Sequence, residues 1–78
     1  MKILAKCLGA NIRAKRKQLG ISQDVLALEA GLDRSYMGRI ERGEVRITVE
    51  KLYQLTRVLQ CEAASLLPSQ EELLVAKA

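Results

Sequence analysis

The hydroxyls and thiols of Ser22, Ser35, Ser65, Cys7 and Cys61 have no histidine anywhere in the chain to activate them, and no lysine or carboxylate cluster takes its place. Two cysteines cannot form a zinc site alone, so no metal or cofactor is implied, and the composition argues against an enzyme. Arginine is left as the residue with chemistry to offer. A guanidinium is a flat, permanently charged fork of donors that suits phosphate and the edges of planar acceptors. Arg34 and Arg39 lie five apart, with Ser35, Tyr36 and Gly38 between them and Arg42 and Arg46 just beyond. At helical spacing Arg34, Ser35 and Gly38 share one side, with Arg39 adjoining.

The charge is divided to match. Residues 1–46 carry ten basic and five acidic side chains, whereas residues 47–78 carry three and four. The net +4 of this 78-residue chain is therefore a basic first part joined to a slightly acidic, apolar second part. Such a basic part can sit on a phosphate backbone or be a solvated surface. With 49% hydrophobic residues the chain is too apolar to be disordered, and with only Tyr36 and Tyr53 as aromatics its core must be aliphatic.

The elements that would position these residues read as helices throughout. Leu4, Leu8 and Ile12 repeat at i+4 and Leu19 continues the stripe, predicting a first helix from about Ile3 to Leu19, stopped by Gly20. Ser22 caps a second helix ending near Ala30. Asp33 caps a third, Arg34 to Arg42, closed by Gly43. After the loop to Thr48 comes a fourth helix with the stripe Leu52, Leu55, Val58 and Leu59. Glu62 to Leu67 reads as a fifth, stopped by Pro68, and Ser69 with Glu72 forms the capping box of a last helix. The opening residues are too short and too interrupted by Lys6 for a signal peptide, and no stretch approaches membrane-spanning length, so a cytoplasmic protein without a membrane partner is expected. In that setting Cys7 and Cys61 are two reduced thiols, a disulfide or redox switch being the alternative.

Residues 23–42 meet the demands of a helix-turn-helix. Ala27 is small enough for two helices to approach, Gly31 suits a left-handed turn position, and Leu26, Ala30, Leu32, Met37 and Ile40 face inward. The run IRAKRKQLGISQDVLALEAGLDRSYMGRIERG resembles the Cro/C1-type helix-turn-helix family, with its SQ opening, LA, AG turn and closing IERG, and within it the controller proteins of restriction–modification systems. The resemblance spans about residues 8–67. It implies an all-α, compact, five- to six-helix lambda-repressor-like domain over residues 1–78, acting as a sequence-specific transcriptional regulator.

In such a fold the third helix enters the major groove of double-stranded DNA. Arg34 and Arg39 are then the candidates for bidentate contacts to guanine, with Ser35 a weaker base contact. Tyr36 reaches a thymine methyl or a phosphate, or else packs its ring on the domain. Ser22, Gln23, Arg42 and Arg46 are expected on the DNA backbone, Gln23 by family resemblance and Arg46 with the option of the minor groove. The resemblance also pairs Arg16 with Glu41, as a structural ion pair fixing the third helix to the first. Gly38 is either a tolerated surface glycine or a point of close approach to DNA. Lys15 and Lys17 are expected to be solvated.

A domain this small gives little area and a marginal core. Leu66, Leu67, Leu73, Leu74 and Val75, with the Leu52 and Tyr53 region, are more than one such domain would bury. A homodimer through residues 48–78 is expected, reading a roughly palindromic operator whose half-sites lie one helical turn apart. The alternative is that the last helix caps its own core. RNA polymerase is a further expected partner. The competing reading is a protein-interaction module, antitoxin or co-activator-like, that keeps the fold but uses its surface on another protein.

Overall fold

Short polar side chains at the predicted starts set the helices. In a computed structural model describing residues 2–77, the order is α1 (Lys2–Gln18), α2 (Gln23–Ala30), α3 (Arg34–Glu41), α4 (Val49–Leu59), α5 (Ala63–Leu66) and α6 (Gln70–Lys77). Ser22 Oγ accepts from the Val25 amide at 3.1 Å, Asp33 Oδ2 from Tyr36 at 3.2 Å and Thr48 Oγ1 from Lys51 at 3.1 Å. Each satisfies an amide that the first helical turn leaves unpaired. At α6 the box is reciprocal, the Glu72 amide donating to Ser69 Oγ at 3.0 Å and the Ser69 amide to Glu72 Oε1 at 2.9 Å. Hydrogen bonding to the carboxyl, from the Ser69 backbone amide first and then its side chain, holds Glu72 below the usual range.

The turn between α2 and α3 depends on Gly31, whose φ of 72° is open to glycine at no steric cost. It lets the Leu32 amide return to Ala27 O at 2.8 Å. α4 ends without a glycine, on Gln60 at φ 55°, a stop that no residue type announced. Helix ends otherwise shift by a residue: α1 stops at Gln18, α3 at Glu41 with Arg42 as its cap, and α5 at Leu66.

The core is aliphatic: Leu8, Ile12, Leu26, Ala27, Ala30, Met37, Ile40, Leu52, Leu55, Leu59 and Leu66 are buried. α2 packs on both α3 and α4, α1 packs on α3, and α5 and α6 close over α1. Leu32 and Val58 are half-buried against this core.

Three sequence-based expectations are corrected here. Leu19 is exposed, because the i+4 continuation of Leu8 and Ile12 is the buried Arg16. Leu66 belongs to the domain's own core at 2% exposure, and its carbonyl accepts from Asn11 Nδ2 at 2.8 Å, so it has no surface to give a partner. Leu52 is buried likewise. Cys7 and Cys61 are free, half-buried thiols. None of the described helices is long and apolar enough to cross a membrane.

Candidate nucleic-acid interface

The side chains on the outer face of α3 need a rigid mount, and a single buried carboxylate provides it. Glu41 Oε2 accepts from Arg16 Nε at 2.7 Å, and Oε1 accepts from Arg16 Nη2 at 3.0 Å and from Gln23 Nε2 at 3.0 Å. The remaining Arg16 fork donates to the carbonyl of Ile21 at 3.1 Å. One node thus ties α1, the turn after it, α2 and α3. Its hydrogen bonds to Glu41 raise the Arg16 pKa still further above the physiological range. The Glu41 side chain is 2% exposed, which makes a full set of donors obligatory.

Gly9 lets α1 and α3 come this close. A Cβ at Gly9 would collide with the Ile40 carbonyl oxygen and lie 2.7 Å from that of Glu41. α1 therefore meets the last turn of α3 backbone to backbone.

Outside the node, Gln23, Arg34, Ser35, Gly38, Arg39 and Arg42 line an open concavity of about 310 Å³ on the face of α3. Its floor is Gly38, which is buried rather than on the surface. A Cβ there would sit 3.1 Å from Arg42 Nη1 and 3.4 Å from Gln23 Oε1. The missing side chain is what allows Arg42 and Gln23 to fold over the helix.

Arg34, Ser35 and Arg39 are exposed at the rim. Each rim arginine has a carboxylate neighbour that spacing did not suggest. Arg34 Nε pairs with Asp24 Oδ1 across the turn. Arg42 Nε donates to Glu44 Oε2 at 2.7 Å, while Arg39 Nε lies 3.9 Å from Glu44 Oε1. Glu44 lies in the loop after α3, where no periodicity relates it to the helix.

Three candidates lie elsewhere, Tyr36, Arg46 and Ser22. Tyr36 is not in the concavity: its ring is half-buried against the core, with Lys51 Nζ 5.7 Å from its centroid. Arg46 is exposed on the loop and lines a separate apolar groove with Leu4, Ala5, Leu8, Val45 and Ile47. Ser22 is exposed with its hydroxyl used in the α2 cap, and Gln23 spends its amide nitrogen on Glu41. Of the C-terminal apolar candidates, Leu73 is half-buried, while Leu67, Leu74 and Val75 are exposed. Tyr53 and Val49, one turn apart on α4, are exposed as well.

Known proteins are similar to this chain in sequence and in fold. A family model described as helix-turn-helix matches residues 12–66. The control protein C.SmaI of Serratia marcescens is 34% identical over 67 residues, which is 86% of this chain and 80% of that protein. The crystal structure of the restriction–modification controller protein C.AhdI from Aeromonas hydrophila superposes with a TM-score of 0.76 at 38% identity, over 81% of this chain and 94% of that one. The hypothetical transcription factor NHTF from Neisseria superposes with a TM-score of 0.79 at 34% identity, over 97% and 86%.

Proposed function

We propose that this chain, which belongs to the helix-turn-helix family, regulates transcription by binding a specific sequence of double-stranded DNA through α3. The observation that carries the reading is the arginine-rimmed concavity on α3, mounted on the buried Arg16–Glu41–Gln23 node. Arg34 and Arg39 turn their forks to guanine edges, and Ser35 makes a weaker contact beside them. Arg42, Arg46, Ser22 and the first turn of α2 at Gln23 approach phosphates. Tyr36 acts mainly by bracing α3 on the core.

The working unit is a two-fold dimer on a roughly palindromic operator. The exposed apolar side chains of the C-terminal part support this: Leu67, Leu74 and Val75, with Leu73 beside them and Tyr53 and Val49 on α4. Similarity to C.SmaI and C.AhdI supports a controller role in a restriction–modification system, carried out in the cytoplasm of a bacterium by blocking or touching RNA polymerase. No catalytic step is part of this function.

Arg34→Ala and Arg39→Ala test the reading. Each is expected to weaken binding to a duplex enriched by the wild-type chain by about 1–3 kcal/mol, measured by fluorescence anisotropy. Unchanged affinity in both would instead favour a protein-interaction module built on the same fold.

A further inference from the structure

A carboxylate on a face meant for phosphates needs a reason. Three guanidiniums and two carboxylates border the α3 concavity, so this face keeps a single net positive charge. Glu44 is the more central of the two acids. It engages Arg42 through both oxygens, at 2.7 Å and 3.4 Å, and its Oε1 also faces Arg39. The Arg42 guanidinium holds the Glu44 carboxyl below the usual range, so it is ionised at any pH near neutrality.

We propose that Glu44 is a specificity-determining residue, whose charge between Arg39 and Arg42 keeps the protein off duplexes of the wrong sequence while leaving the reading of the right one intact. The inference rests on the DNA-binding reading given above. Sequence-independent binding is almost wholly the pairing of cations with phosphates. In that mode Arg39 turns to phosphate oxygens, as Arg42 does in either mode, and the carboxylate repels the backbone that Arg39 approaches. Sequence-specific binding makes a different demand. Arg39 can present its two terminal nitrogens to guanine O6 and N7 while its Nε still faces Glu44, because the fork's donors point along two edges. The carboxylate then aims the fork instead of competing for it. Its cost falls mainly on the wrong complexes, which is discrimination by repulsion.

Glu44→Gln removes the charge at an exposed loop position, and Glu44→Lys reverses it. Binding of both variants and of wild type is measured on a random-sequence duplex and on the duplex that wild type enriches from a random pool, across a salt series. For Glu44→Gln the random duplex is expected to bind about tenfold tighter with a steeper salt dependence, and the enriched duplex to change by less than about threefold. Glu44→Lys should widen that difference. Equal changes on both duplexes, or none, in a wild type that discriminates between them would overturn the role of Glu44 and leave DNA binding standing. A wild type that binds neither duplex would overturn DNA binding and this inference together.

Discussion

Glu41→Ala is expected to lower the free energy of unfolding by about 3–5 kcal/mol, read from urea denaturation followed by circular dichroism. The loss is large because the carboxylate does not act alone. Its removal strands the buried Arg16 guanidinium and frees the Gln23 amide, so the donors on α1 and α2 lose their shared acceptor on α3. In a domain whose whole stability is of the order of 5–15 kcal/mol, that brings folding close to its limit. Replacing both members with apolar residues, Arg16→Met with Glu41→Leu, should recover much of the loss, because a buried ion pair is worth little beyond the cost of breaking it. A single Glu41→Ala variant as stable as wild type would mean that the node is ornamental.

Gly9→Ala is expected to be strongly destabilising although it adds a single methyl. Alanine in a helix interior gains about 1 kcal/mol over glycine. Here the methyl meets the Ile40 and Glu41 carbonyls, and main chain cannot swing aside as a side chain does. Overpacking of this kind costs about 1–3 kcal/mol in ordinary cores and more against backbone, so a net loss of about 2 kcal/mol is expected. That is a fall in Tm of about 10 °C for a domain this size. Gly38→Ala provides the contrast. Its new methyl meets only the ends of Arg42 and Gln23, at 3.1 and 3.4 Å, so stability should hold while the reading face changes shape. Equal melting temperatures for the Gly9 and Gly38 variants would remove the case for a tight α1–α3 crossing.

Both variants bear on what a sequence can reveal. The caps at Ser22, Asp33, Thr48 and Ser69 were readable because a cap and the amide it satisfies lie three residues apart. The Arg16–Glu41 pair, 25 residues apart, was accessible only through resemblance. Gly9 carried no local signal, since its reason is the neighbouring backbone of α3. The same holds for Leu66 and Leu67, adjacent and identical in type: only the setting of α5 against α1 buries one and exposes the other. At the reading face, helical spacing brought Arg34, Ser35 and Arg39 together. It left Tyr36 open between DNA and the domain, where its ring packs half-buried beside Lys51, and it was silent on Asp24 and Glu44, which reach their arginines across turns. Periodicity relates residues within a helix, and the partners that tune this face lie outside α3.

Selection from a pool of random duplex DNA by the wild-type chain tests the central claim most directly. A dimeric reader predicts enrichment of a roughly palindromic sequence with guanines in each half-site, the half-site centres about one helical turn apart, and loss of that enrichment with Arg34→Ala. A pool that stays random after repeated rounds, or that converges equally well with Arg34→Ala, would contradict it.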